Sequence, residues 1–148
     1  MHKFLEATAG QYMTRTVQTV TRHTTMRELK TMLDDAGFNA FPVRENGDVV
    51  GLVTKFDFLK CFAFTPNRMV PGYDELLSRT VVDVMTPEFI YVDPATKLTR
   101  VLQLMVDHRI RSIPVLDAGQ RLAGIISRED VMRALQRCTG NADPGESK

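Results

Sequence analysis

Cysteine is scarce in this chain. Its 148 residues include two, Cys61 and Cys138, too few and too far apart for a disulfide framework or a C-x-x-C site. Long apolar runs are missing as well. No stretch of about 18 apolar residues occurs, so no membrane-spanning helix is expected. The opening Met1-His2-Lys3-Phe4-Leu5-Glu6 lacks the apolar segment of a signal peptide. Neither sign of charge dominates: Lys plus Arg is 19, Asp plus Glu is 18, and the net charge is +1. That balance gives no electrostatic footprint for nucleic acid or an anionic membrane. Aromatics are few, 7%, which leaves little platform for stacking bases. The three histidines, His2, His23 and His108, have no metal-ligand spacing with cysteines or acids. No G-x-S-x-G, Walker A or G-x-G-x-x-G pattern is present. These absences predict a soluble protein in a reducing, cytoplasmic setting, with no enzyme chemistry, no metal, no membrane and no nucleic acid. What remains is an ordinary globular composition, 43% hydrophobic and 25% charged, long enough to fold without staples.

The chain repeats itself. Displaced by 72 positions, Thr8 falls on Thr80, Met13-Thr14 on Met85-Thr86, Val20 on Val92 and Thr24 on Thr96. Asp35 falls on Asp107, Pro42-Val43 on Pro114-Val115, and Gly47 on Gly119. One extra residue near Arg121 moves the offset to 73. Gly51 then falls on Gly124, Thr54 on Ser127, Lys55 on Arg128 and Asp57 on Asp130. Such a period is too long for a solenoid unit and suits a paired domain.

Each half reads alike. Thr8-Ala-Gly-Gln11 and Thr80-Val-Val-Asp83 open short capped turns. Val17–Val20 and Phe89–Val92 read as β-type runs. A helix follows, capped at Thr25-Met-Arg-Glu28 and built on Met26, Leu29, Met32, Leu33 and Ala36, with Gly37 at its end. Its counterpart uses Leu98, Val101, Leu104, Met105 and His108, after Pro94. Two strands come next. Phe41-Pro-Val43 turns at Asn46-Gly47, a strong hairpin signal, into Val49–Val53. Ile113–Leu116 turns at Asp117–Gln120 into Leu122–Ile126. A last helix starts at Thr54 and at Ser127. The fold class is therefore α/β of mixed α+β character, two β-α-β-β-α repeats. The boundaries read as a first domain over 8–64, a connector over 65–79, a second domain over 80–137 and a disordered tail over 138–148.

The doubled segment Gly51-Leu-Val-Thr54-Lys-Phe-Asp57 and Gly124-Ile-Ile-Ser127-Arg-Glu-Asp130 admits two readings. A hydroxyl residue followed three places later by an acid is a capping box, which stabilises a helix with no ligand. The same corner offers amides and a positive dipole end to a phosphate. Its carboxylate can accept both hydroxyls of a ribose, and Lys55 or Arg128 can meet the phosphate.

Both halves resemble the cystathionine-β-synthase (CBS) domain. The Met-Thr opening, the Ile-Pro-Val type strand and the Gly-h-h-Thr/Ser-x-x-Asp ending carry the resemblance, from about Thr8 to Leu135. Two such domains in tandem resemble a Bateman module, packed with pseudo-two-fold symmetry. The resemblance implies an adenosine-containing ligand, AMP, ADP, ATP, S-adenosylmethionine or NAD, in clefts between the domains. It assigns phosphate and ribose contacts to Thr54 and Asp57 in one site, and to Ser127 and Asp130 in the other. It places Phe41, Val43, Ile113 and Val115 beside the ligand, and Arg111 near its phosphate. It implies a homodimer, and a regulated partner protein reached in trans. A dimerisation or protein-interaction scaffold without nucleotide is the alternative. Arg109 and Arg111 read equally as solvated surface. His108 reads as core or interface packing before phosphate contact. The cluster Phe62, Phe64, Met69 and Tyr73 covers the chain's own core or makes a partner surface.

Overall fold

A computed structural model describes residues 1–35, 39–64 and 70–140. The chain divides into two compact units that cut across the repeat. One comprises Met1–Val17 with Ile90–Lys148, and the other Gln18–Phe89.

In the Gln18–Phe89 unit, the first helices in chain order (α1, His2–Glu6; α2, Ala9–Tyr12) take no part. The unit holds α3 (Met26–Leu33), β1 (Ala40–Glu45), β2 (Asp48–Thr54), α4 (Lys55–Lys60), α5 (Tyr73–Leu77) and a 3-10 turn, Val81–Asp83. Thr25 caps α3: its Oγ1 accepts from the Glu28 amide at 3.1 Å, and Glu28 Oε1 accepts from the Thr25 amide at 2.9 Å. Met26, Leu29 and Leu33 bury one face. The helix ends there, short of Ala36. That residue and Gly37 lie outside the described residues. β1 and β2 form an antiparallel hairpin, Ala40 facing Thr54 and Glu45 facing Asp48. Asn46 and Gly47 both take positive φ, 53° and 87°, the conformation of a turn whose twist matches the strands.

The other unit holds α1, α2, α6 (Leu98–His108), β3 (Ser112–Leu116), β4 (Leu122–Ser127) and α7 (Arg128–Cys138). β3 and β4 pair as their counterparts do, Ser112 facing Ser127. Their loop absorbs the extra residue of the repeat. Asp117 Oδ1 accepts from the amides of Gly119 and Arg121 at 2.9 and 3.0 Å, and Gln120 takes φ 64°.

The strand expected first in each repeat is reduced to a single bridge. Val20 pairs with Val43, and Val92 with Val115, both parallel. Pro42 and Pro114 have no amide to extend the ladder, and turns closed by Thr24 and Thr96 follow at once. The Thr80 turn differs from its Thr8 counterpart too. In both turns the third residue's amide donates to the cap carbonyl, Gln11 to Thr8 at 3.2 Å and Asp83 to Thr80 at 3.0 Å, but at the first Gln11 Oε1 also accepts from the Thr8 amide at 3.0 Å.

Each Met-Thr opening packs on the hairpin of the other repeat. Thr14 and Ile125 exchange backbone bonds at 2.8 and 3.0 Å, as do Thr86 and Leu52 at 2.8 and 2.9 Å. Met13, with Phe4, Ala7 and Ala9, joins a core of Leu98, Val101, Met105, Ile113, Val115 and Ile126. Val81 joins Val20, Met26, Leu29, Phe41, Val43, Val53 and Phe58, with Met85 against it. The motif glycines explain the approach. A Cβ on Gly124 would sit 2.7 Å from both Met13 Sδ and the Thr14 carbonyl oxygen. One on Gly51 would sit 2.8 Å from Met85 Sδ and 3.1 Å from the Thr86 oxygen.

Met69 of the aromatic cluster, residues 65–69 of the connector and the tail from residue 141 lie outside the described residues.

Three outcomes follow. Gly124→Ala should cost about 1–3 kcal/mol and Gly51→Ala less, by urea denaturation. Adding Met85→Ala should recover stability for Gly51→Ala, while Met13→Ala should not rescue Gly124→Ala, because a backbone oxygen stands in the way. Arg109 ends α6 in the left-handed region, φ 55° and ψ 42°, so Arg109→Gly should raise stability by about 0.5–1 kcal/mol. The Thr25 backbone and hydroxyl bonds hold the Glu28 carboxyl below the usual range. Its stabilisation is full above the unfolded pKa and is lost as pH falls through the lower folded one. Glu28→Gln should therefore flatten the acid limb of a pH–stability curve.

Candidate functional site

The sequence motif closes both hairpins at the same kind of corner. β2 arrives at Thr54 in extended backbone (φ −115°, ψ 166°), and β4 at Ser127 (φ −114°, ψ 169°). Extended geometry is what an N-cap requires. The Asp57 amide donates to Thr54 Oγ1 at 3.1 Å, and the Thr54 amide donates to Asp57 Oδ2 at 2.9 Å. At the second corner the Asp130 amide donates to Ser127 Oγ at 3.3 Å, and the Ser127 amide to Asp130 Oδ2 at 2.9 Å. The Ser127 hydroxyl also donates to Oδ2, at 3.1 Å. Both carboxylates are 4% exposed, the two buried charged side chains among the described residues.

A buried carboxylate needs partners, and each has a basic side chain one helical turn on. Lys60 Nζ stands 3.1 Å from Asp57 Oδ1, and Arg133 Nη2 2.9 Å from Asp130 Oδ1. Sequence reasoning passed over Lys60 and Arg133. The signal was available: the two occupy equivalent positions at the 73-residue offset, three places after each acid.

The other sequence-derived residues divide. The Lys55 amide donates to the Asn39 carbonyl at 2.8 Å, and the Arg128 amide to the Arg111 carbonyl at 3.0 Å. The start of the Pro-Val strand is thus tied to the helix entry in both copies. Lys55, Arg111 and Arg128 are exposed. Arg111 and Arg128 lie at one corner with Ser127 and Asp130, and Lys55 lies at the other with Thr54 and Asp57. Phe41, Val43, Ile113 and Val115 are fully buried members of the two cores. Their side chains fill the fold, so a ligand beside these strands would meet backbone. His108, expected in packing, is exposed at the end of α6. Phe62 stacks among Phe58, Phe64 and Tyr73 with ring centroids 5.4–6.4 Å apart. Phe58 is in the core, while Phe64 and Tyr73 are 45% and 56% exposed. That cluster therefore packs at one end and faces outward at the other.

The Cys61 thiol is a poor nucleophile by position. Burial pushes the Cys61 thiol up, and Asp57 adds to the rise against Arg79 and Lys60. A hydrogen bond with Cys138 Sγ, 3.6 Å away, raises the Tyr12 hydroxyl. Among the described residues no cluster of three metal-ligating side chains occurs, and no helix is long and apolar enough to cross a membrane. Each corner can accept hydrogen bonds from a diol through a fixed carboxylate and present cations beside it.

The CBS domain family matches this chain at residues 9–63 and 81–137. The chain is 31% identical to the chloroplastic CBS domain-containing protein CBSX1 of Arabidopsis thaliana, over 92% of its own length and 67% of that protein's. The crystal structure of MJ1225 from Methanocaldococcus jannaschii superposes with a TM-score of 0.80 at 27% identity, covering 88% of this chain and 48% of that one. The crystal structure of CBSX2 in complex with AMP superposes with a TM-score of 0.75 at 27% identity, covering 89% and 98%. The chain spans under half the length of the archaeal relatives it matches. Two copies of the family's pattern, and a CBSX1 relative matched over two thirds of its length, make the conclusion plain: the chain belongs to the CBS domain family, as a pair of such domains.

Proposed function

We propose that this chain is a regulatory, ligand-sensing module for an adenosine-containing molecule, acting on a partner protein in trans rather than catalysing a reaction. One observation carries the reading. Two buried carboxylates, Asp57 and Asp130, sit at equivalent strand-to-helix corners with acceptor positions left over. A ribose offers two hydroxyl donors at matching spacing. Thr54 and Ser127 would turn their hydroxyls to phosphate, with Lys55 at the first corner and Arg111 and Arg128 at the second. The second corner is the better equipped for an anion. It opens an 11-residue helix and has two exposed arginines, so a phosphate there meets both dipole and charge. AMP is the first candidate, because the related CBSX2 was crystallised with it. ADP, ATP, S-adenosylmethionine and NAD share the ribose and stay in the test. A cytoplasmic homodimer is part of the proposal. Ligand would act by its differential affinity for two states of the assembly.

A second reading, a scaffold that binds no nucleotide, draws on Phe56 and Leu59. They are 68% and 54% exposed on one face of α4, a surface suited to a protein partner. A thermal-shift panel of the five ligands separates the readings. A ligand at 100 times its Kd should stabilise by roughly 2.7 kcal/mol. Asp130→Asn should weaken that ligand by about tenfold or more while costing less stability than affinity. No shift with any ligand at millimolar levels would favour the scaffold.

A further inference from the structure

The two corners differ in how their carboxylates are held, in the bond that the Ser127 hydroxyl adds and in the basic side chain one turn on. Asp130 Oδ2 accepts the Ser127 amide and hydroxyl at 2.9 and 3.1 Å, and Oδ1 accepts Arg133 Nη2 at 2.9 Å. A carboxylate has about four acceptor positions, so three are taken. The Ser127 hydroxyl can rotate away. One position then opens on each oxygen, the pair a vicinal diol requires, with the amide and Arg133 still in place.

Arg133 is itself anchored. Its Nη2 also donates to the Tyr12 carbonyl at 3.1 Å. Both hydrogens of that nitrogen are thereby used, one on Asp130 and one on the amino-terminal segment. Tyr12 immediately precedes Met13 and Thr14, which are pinned to β4 at Gly124 and Ile125. The guanidinium is thus tied through Nη2 to both segments and aims a directed N–H bond at Oδ1. Lys60 does less for Asp57. Its ammonium reaches Oδ1 at 3.1 Å, its other neighbour is the Phe56 ring 5.5 Å away, and among the described residues no hydrogen bond joins it to the Met85-Thr86 segment. An ammonium supplies charge without a fixed direction.

We infer that Arg133 is a positioning residue that makes the Asp130 corner the diol-selective one, by holding that carboxylate against the amino-terminal segment. The inference rests on the proposed nucleotide reading and extends it to specificity: a molecule with an intact ribose diol is preferred at this corner over its deoxy form, and the Asp57 corner discriminates less.

The test is calorimetric titration with AMP and with 2′-deoxy-AMP. In an Asp57→Asn chain, which leaves the second corner to read the ribose, AMP should bind about tenfold tighter than 2′-deoxy-AMP. Adding Arg133→Gln should cut that preference to about twofold or less, mainly by weakening AMP. Adding Arg133→Lys instead makes the corner a copy of the first. Its preference should fall to that of an Asp130→Asn chain, in which only Asp57 reads the ribose. In that chain Lys60→Gln should leave the ratio unchanged. A preference that survives both Arg133 substitutions overturns the inference and leaves the nucleotide reading standing. So does an equal loss of affinity for both nucleotides, which would mark Arg133 as merely structural. Failure of the unsubstituted chain to bind AMP would remove the nucleotide reading for AMP, and this inference with it.

Discussion

The close crossing of each Met-Thr segment over a glycine of the facing hairpin is the constraint on which the rest depends. At Gly124 the Met13 sulfur and the Thr14 oxygen occupy the space a side chain would need. At Gly51 Met85 does the same. The crossing adds backbone bonds to the outer edge of a two-stranded hairpin, which is marginal in water by itself. It also carries Met13 into one core and Val81 into the other. One compact unit is therefore made of two pieces of chain far apart in sequence, Met1–Val17 and Ile90–Lys148, while the other is the single run Gln18–Phe89. The glycine of each motif serves this packing.

The corner residues do two jobs with one geometry. An N-cap hydroxyl contributes about 0.5–2 kcal/mol to its helix. The ion pairs beside it contribute less, because Lys60 and Arg133 are about half exposed and solvent screens them. Burying Asp57 and Asp130 would be costly without those partners. The cap and the counter-ion together keep a carboxylate oriented and only partly saturated in acceptors. That is the state a hydroxyl-rich ligand can exploit with no more rearrangement than the turn of a hydroxyl.

Much of this was legible in the sequence. The repeat, both hairpins, the Asn46-Gly47 turn and the capping boxes at Thr25, Thr54 and Ser127 are local features, set by side-chain chemistry within four residues. The unread parts are long-range. Nothing in Val17–Val20 or Phe89–Val92 shows that Pro42 and Pro114 will offer a carbonyl but no amide, so the expected strands shrink to bridges. Nothing local shows that residue 13 will lie on residue 124. The resemblance places Phe41, Val43, Ile113 and Val115 beside a ligand, and their side chains belong to the two cores, a placement set by packing across the fold. The pairing of Arg133 with Asp130 was legible as spacing. Its bond to Tyr12, 121 residues away, was not.

The asymmetry between the copies bears on function more than their likeness does. The second copy carries an extra residue in its hairpin loop, held by Asp117. It also ends α6 on Arg109 in a conformation that glycine would adopt at lower cost. Keeping arginine there places a cation two residues before Arg111 in sequence, in the copy whose corner holds Arg128 and Arg133. The first copy has Lys55 and Lys60 at its corner, on a helix of six residues. A net charge of +1 conceals this gathering of arginines. Duplication gave two corners with one capping geometry, and the anionic ligand proposed for them would meet more positive charge at the second.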